Sequence, residues 1–184
     1  MKRTFIALNI PVPDNLLKQI FAFREELKGL IVKWVEPHNY HLTLAFLGDT
    51  TPVQIQNISV LLQAIVCKYK PFNFRFNEIG AFKSLKNPQV IWLGGNEPEN
   101  LGDIVAEIRL MLVENGLEPE QKKFKAHLTL GRVKEVFQHN LEKLSVGFQP
   151  ELLSIIPADT LVFYESTLTQ SGPIYKPIRI YKLS

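Results

Sequence analysis

His41-Leu42-Thr43-Leu44 is a tetrapeptide that the chain spells a second time, as His127-Leu128-Thr129-Leu130. The second copy begins 86 residues after the first (127 − 41) in a chain of 184, and the two copies hold two of its four histidines. In an extended backbone successive side chains point to opposite faces. His41 and Thr43 therefore share one face and Leu42 and Leu44 the other, with the same division at 127 to 130. Each copy reads as a strand with a polar face and a buried face. The spacing suits two structurally similar halves, with a cleft between them that presents two His and two Thr to one ligand.

The rest of the chain supplies the frame for such a cleft. At 184 residues and 46% hydrophobic content it can bury a proper core. No apolar run is long enough to cross a bilayer. The N-terminal run Phe5-Ile6-Ala7-Leu8 follows basic residues but stops at Asn9, meets Pro11 and Pro13, and lacks a small-residue cleavage pattern. It reads as a first strand, and a cytoplasmic protein, not bound to membrane and monomeric, is expected. The single Cys67 excludes an intrachain disulfide, fits a reducing compartment and reads as a buried helix residue. A net charge of +3 and pI near 8.9 suit a polyanionic ligand without demanding one.

Strands alternate with amphipathic helices. Residues 3–10 form a strand, and Pro11, Pro13 and Asp14 open a helix with the stripe Leu16, Leu17, Ile20, Phe21 and Leu27, stopped by Gly29. A short strand Ile31 to Val35 and a tight connection at Pro37 to Tyr40 lead into the first motif strand, His41 to Leu47, closed by a Gly48-Asp49 turn. Thr51-Pro52-Val53-Gln54 has capping-box form, ahead of a helix buried through Ile55, Ile58, Leu62, Ile65 and Val66. Phe72, Phe74 and Phe76 alternate with polar residues as a half-buried strand, and Gln89 to Leu93 is a second, ended by Gly94-Gly95. Leu101, Ile104, Val105, Ile108, Met111 and Leu112 mark the next helix, and the second motif strand starts near Phe124. Residues 135–157 are ambiguous apart from a short helix near Leu141 to Leu144. Asp159 to Leu168 and Ile174 to Leu183 form a final antiparallel pair. The expectation is one α+β domain over residues 1–184, folded as two intimate lobes.

Two facing histidines can take a proton from one oxygen and give one to another, because imidazole is a base near pH 7 and its cation an acid. Displacement at phosphorus requires this. Each Thr hydroxyl lies about 6.6–6.8 Å along the same face, by strand rise, and can donate to a phosphoryl oxygen without adding charge. Other readings compete. Either histidine alone is an ordinary hydrogen-bonded strand residue. A zinc site would need a third ligand, from His38 or His139, since neither motif holds Cys, Asp or Glu. Thr43 or Thr129 as nucleophile would lack a base within reach on the same strand.

The text around the motifs resembles a known family. The doubled His-x-Thr-x is similar to the 2H phosphoesterase superfamily. Lys33-Trp34-Val35-Glu36-Pro37-His38-Asn39-Tyr40-His41-Leu42-Thr43-Leu44-Ala45-Phe46-Leu47-Gly48 resembles the first motif region of RNA 2′,3′-cyclic phosphodiesterases, also called 2′-5′ RNA ligases. Phe5 to Leu8, Pro71-Phe72, Val90 to Gly94 and Phe124 to Val133 fit the same pattern.

The resemblance implies two pseudo-symmetric lobes, each an antiparallel sheet with helices on its outer face, and a cleft carrying both motifs. It implies cofactor-free and metal-independent opening of an RNA 2′,3′-cyclic phosphate, tRNA fragments among the substrates, to a 2′-phosphomonoester. A slow reverse 2′-5′ joining goes with it. In that scheme His41 is the proton donor, His127 the proton acceptor, and Thr43, Thr129 and Arg132 bind the phosphate. Strict alternation puts Arg132 on the leucine face, so it reaches the cleft only if the strand twists or ends. Ala45 stands where the family often has Lys, which removes a cationic contact. Trp34 is a base-stacking candidate, Phe46 reads as core by alternation, and Lys122, Lys123 and Lys125 either attract an RNA backbone or form a solvated turn. A cyclic phosphodiesterase for a small nucleotide of the ADP-ribose cyclic phosphate type, or a non-catalytic RNA-end binding module, would use the same cleft.

Overall fold

The computed structural model describes residues 1–120, 122–148, 155–170 and 172–184. The apolar run after Arg3 becomes β1 (Lys2–Asn9), whose residues from Thr4 to Leu8 and beyond to Ile10, apart from Asn9, are buried. A strand covered on both faces reads as continuous rather than alternating apolar sequence. There follow α1 (Asp14–Glu26), β2 (Leu30–Trp34), a 3-10 turn at Pro37–Asn39, β3 (His41–Thr50) and α2 (Pro52–Val66). Next come β4 (Phe72–Lys83), β5 (Pro88–Asn96), α3 (Leu101–Glu114), β6 (Leu128–Val136) and α4 (Leu141–Gly147). The described chain closes with β7 (Ile155–Ala158), β8 (Thr160–Leu168) and β9 (Pro173–Lys182).

Every strand pairing is antiparallel, in the order β7-β4-β5-β6-β3-β1-β8-β9, with β2 also on β6. The sheet narrows at one place: β3 meets β6 through the single pair Leu42↔Leu128. On one side of this join lie β3, β1, β8 and β9, and on the other β6, β5, β4 and β7 with β2. These are the two expected lobes, but they are not the two halves of the sequence. The early strand β2 docks on the second lobe, and the late hairpin β8-β9 completes the first. β6 allows this because one of its edges takes β3 at its start and β2 from Gly131 onward.

The helices behave as their patterns require. Thr51 accepts from the Gln54 backbone N–H, while the Gln54 side chain accepts from the Thr51 backbone N–H, so the capping box is complete. α2 buries Ile58, Leu62, Ile65 and Val66 against α3 and β9, and the buried Tyr181 hydroxyl donates to the Ser59 carbonyl at 2.9 Å. In α1 the stripe is narrower than expected. Phe21 is exposed and lies against the Arg24 guanidinium, 5.1 Å from its centroid, instead of in the core.

Other elements depart from the sequence reading. Cys67 caps the C-terminal end of α2 and is exposed, because the helix stripe runs out at Val66. Gly48 adopts φ +69° within β3, and the strand continues to Thr50 where a turn was expected. Gly94 and Gly95 do not end β5, which runs on to Asn96. A Cβ at Gly95 would lie 1.8 Å from the Arg75 carbonyl oxygen, so the glycine permits a close approach of β4. The second motif strand begins at Leu128 and not near Phe124; just before it the Ala126 N–H donates to the Glu97 carboxylate instead of to a ladder. In the ambiguous region α4 is present and β7 had no sequence signal, while residues 149–154 fall outside the described chain.

The join sets a stability expectation. Leu42 and Leu128 are both fully buried, and truncating such a leucine costs about 2–5 kcal/mol. Leu42→Ala should lower the denaturant midpoint accordingly at unchanged slope; a loss under about 1 kcal/mol would mean that the lobes do not depend on this contact.

Candidate active site

The Leu42↔Leu128 pair occupies equivalent positions in the two motifs, so the two copies meet about a local pseudo-two-fold axis. Both leucines face the core. Their neighbours face the other way: His41, Thr43, His127 and Thr129 all line one cleft of about 1010 Å³. Extending the register by one residue places His41 across from Thr129 and Thr43 across from His127. Diagonal neighbours on an ideal ladder are roughly 7–8 Å apart, room for a phosphoryl group between the two rings.

Each histidine is held the same way. His41 Nδ1 lies 2.7 Å from the Asn39 carbonyl oxygen and His127 Nδ1 lies 2.7 Å from that of Lys125, in both cases two residues upstream. A carbonyl only accepts, so Nδ1 carries the hydrogen and the neutral ring offers its Nε2 lone pair to the cleft. Aromatic rings fix the orientation. His41 sits 4.9 Å from Phe5, 5.1 Å from Tyr175 edge-on and 6.2 Å from Tyr164, and His127 meets Phe82 edge-on at 4.7 Å.

Burial pushes both histidines below the ordinary imidazole value of about 6.5, against the upward pull of the carbonyl each one bonds. The further electrostatic causes differ. His41 is additionally lowered by His127, whereas His127 is lowered by Lys125 and Arg132 and raised slightly by Glu120.

Local register shifts decide which further side chains enter the cleft. In the β1–β3 ladder Ala7 pairs with Thr43 but Ile6 with Ala45, so Leu44 is an extra residue and the alternation changes phase. In the β5–β6 ladder Trp92 pairs with Thr129 but Ile91 with Gly131, so Leu130 is extra at the matching position. Such bulges bend a strand and re-aim the side chains that follow. Beyond Leu44, Ala45 is buried and Phe46, expected in the core, is 51% exposed and lines the cleft. Beyond Leu130, Gly131 is buried and Arg132 faces the cleft, overturning the leucine-face placement that strict alternation gave.

The remaining expected residues also find places. Trp34 lines the cleft under the Arg24 guanidinium, 4.8 Å from its centroid. Lys122, Lys123 and Lys125 border the cleft. Lys122 pairs with Glu120 at 2.8 Å, while Lys125 lies 3.9 Å from the centre of the Trp92 ring and 3.4 Å from Glu78. His38 is at the cleft, while His139 lies elsewhere, its Nε2 3.2 Å from the Lys86 carbonyl oxygen. Among the described residues no three of His, Cys, Asp or Glu come together as a metal-ligand set, so the third zinc ligand that the competing reading needs is not assembled. Among the described residues no helix is long and apolar enough to cross a membrane. The sequence reading missed Tyr164, Tyr175 and Phe82, because only strand pairing brings them to the motifs.

Comparison with known proteins places this geometry. A family model described as LigT-like phosphoesterase matches residues 10–92 and 94–175. A Thermotoga maritima protein named RNA 2′,3′-cyclic phosphodiesterase is 36% identical over 178 residues, covering 95% of this chain and 91% of its own. An Aquifex aeolicus protein of the same name is 33% identical, covering 98% and 97%. Among solved structures, E. coli LigT complexed with 3′-AMP superposes with a TM-score of 0.76 at 21% identity, over 100% of this chain and 98% of that one. A Thermus thermophilus protein superposes at 0.77 with 23% identity, over 98% and 97%. At these identities the likeness concerns the fold.

The burial of both rings makes a titration expectation. By NMR, His41 and His127 should each titrate below about 6.5 in the ligand-free protein. Between the folded values and about 6.5 the unfolded chain binds more protons, so stability should fall as the pH drops below about 6.5. A phosphate anion in the cleft should move both titrations upward; histidines titrating above about 6.5 without ligand would contradict the electrostatics.

Proposed function

Given that this chain belongs to the LigT-like phosphoesterase family of the 2H superfamily, we propose that it hydrolyses the 2′,3′-cyclic phosphate at an RNA end to a 2′-phosphomonoester. The observation that carries this reading is the pair of equivalently held histidines, each with Nδ1 on an upstream carbonyl and its ring lining one cleft. The names of the relatives point to the same substrate.

Water attacks phosphorus as His127 Nε2 takes its proton; the bond from phosphorus to the 3′-oxygen breaks; and His41 Nε2–H protonates that oxygen, leaving the phosphate on the 2′-oxygen. The differing surroundings support this division. His127 lies among the cations Lys125 and Arg132, which favour its neutral, basic form. For His41 the charge that lowers it, beside burial, is the other imidazole alone, so no lysine or arginine is among the groups that oppose its protonation. The bound phosphate anion supplies the upward shift that lets His41 carry its proton near neutral pH. Thr43 and Thr129 donate to non-bridging oxygens from across the join, and the Arg132 fork adds charge-assisted donors. With a 5′-hydroxyl in place of water as the nucleophile, the same proton transfers open the cyclic phosphate and join RNA ends through a 2′-5′ linkage.

Removing one donor to developing charge costs roughly 10²-fold or more. Thr43→Ala and Thr129→Ala should each lower kcat by about that factor while keeping the shape of the pH profile, since neither residue titrates. Wild-type rates would place the threonines off the phosphate.

The histidines are separated by the leaving group. His41→Ala and His127→Ala should each lose about 10²- to 10⁴-fold on a cyclic-phosphate dinucleotide, with a bell-shaped pH profile for the wild type. With sulfur in place of the 3′-oxygen the leaving thiolate needs no acid, so His41→Ala should recover much of its rate and His127→Ala should not. Rescue of His127→Ala instead would reverse the roles.

A further inference from the structure

Lys33 and Arg132 are register partners across the β2–β6 ladder, and both are exposed and line the cleft. Directly opposed residues on antiparallel strands have Cβ atoms about 4.5–5.5 Å apart, and like charges there destabilise the pair. Among the described residues neither forms an ion pair: those go to Lys2, Lys68, Lys122, Lys125 and Lys182, while Glu36 and Glu120 also line the cleft. Among the described residues the Lys33 ammonium makes a long 3.4 Å contact with the Gln170 carbonyl oxygen and no other hydrogen bond. Lys134, the extra residue where this ladder shifts register, adds a third cation to the same side of the cleft. Two other lysines at the cleft, Lys122 and Lys125, are paired with Glu120 and Glu78. A row of cations without ion-pair partners among the described residues therefore runs outward from Arg132 along β2 and β6. With strands about 4.8 Å apart and alternate residues about 6.7 Å apart, it extends beyond the reach of one phosphate held between the histidines.

We propose that Lys33 and Lys134 hold a second phosphate of the substrate, the one esterified to the 5′-oxygen of the nucleoside that bears the cyclic phosphate. This rests on the activity proposed above and adds a specificity: the enzyme prefers cyclic-phosphate ends that carry a 5′-phosphate group. That group has two sources, the upstream phosphodiester of an RNA or the 5′-phosphate of a small nucleotide.

Steady-state kinetics should compare adenosine 2′,3′-cyclic phosphate, its 5′-phosphorylated form and the corresponding adenylyl dinucleotide, in the wild type and in Lys33→Ala/Lys134→Ala. The two phosphorylated substrates should exceed the plain nucleoside by about tenfold in kcat/KM, through KM and with a steeper salt dependence. In the double variant they should fall to the level of the plain nucleoside. Equal turnover of all three by the wild type, or equal losses on all three in the variant, would overturn the subsite. A preference for the dinucleotide alone would assign the gain to the upstream nucleoside and also overturn it. If no substrate is turned over, the activity reading fails, and calorimetry with adenosine 2′,5′-bisphosphate against adenosine 2′-phosphate still decides the subsite. About tenfold tighter binding of the bisphosphate upholds it and equal binding does not.

Discussion

The cleft depends on one backbone pairing, Leu42 with Leu128, across which two otherwise separate sheets are joined. Both side chains are driven inward by the hydrophobic effect, and in an extended strand that forces the residues on either side outward. His41, Thr43, His127 and Thr129 are thus presented to the cleft as a consequence of burying two leucines. A single pair is also enough contact to fix the approach of the strands while letting the lobes splay, which leaves room for a ligand at the place where a full ladder would close the sheet.

The second constraint is the matched pair of bulges. Leu44 and Leu130 each add a residue immediately after the His-x-Thr segment, and both are buried. An additional buried leucine shifts the phase of all that follows, so Phe46 and Arg132 take cleft positions that a regular strand would deny them. The bulges therefore enlarge the site beyond the four repeated side chains, to an aromatic surface on one lobe and a guanidinium on the other. Asymmetry enters here, although the tetrapeptides are identical.

The environment of the rings follows from what each lobe brings. β8 and β9 carry Tyr164 and Tyr175 to His41, while β4 carries Phe82 to His127 and the segment before β6 carries Lys125. Burial lowers both imidazoles, so the cleft favours their neutral forms and makes proton binding responsive to an arriving anion. Lys125 and Arg132, which depress His127, also line the cleft, so the arrival of an anion there and the titration of this ring are coupled through one set of charges.

Much of this was legible in the residues alone. The repeated tetrapeptide, period-two alternation and the capping box at Thr51 identified both motif strands, the alternation of strands with helices and the four groups lining one cleft, because these signals are local and set by backbone geometry. Three kinds of fact were not local. Phe46, Arg132 and Gly48 depended on bulges and a positive φ, which arise from how a neighbouring strand pairs. Cys67 and Phe21 depended on where a helix stripe ends against the core. The partners of the histidines depended on β2 crossing to the second lobe and the β8-β9 hairpin returning to the first. The sequence by itself determined which chemistry the cleft holds, through side chains placed two apart on strands. Only the tertiary structure decided what surrounds that chemistry, because register between distant strands is settled by the packing of the whole core and leaves no trace in the spacing of neighbouring residues.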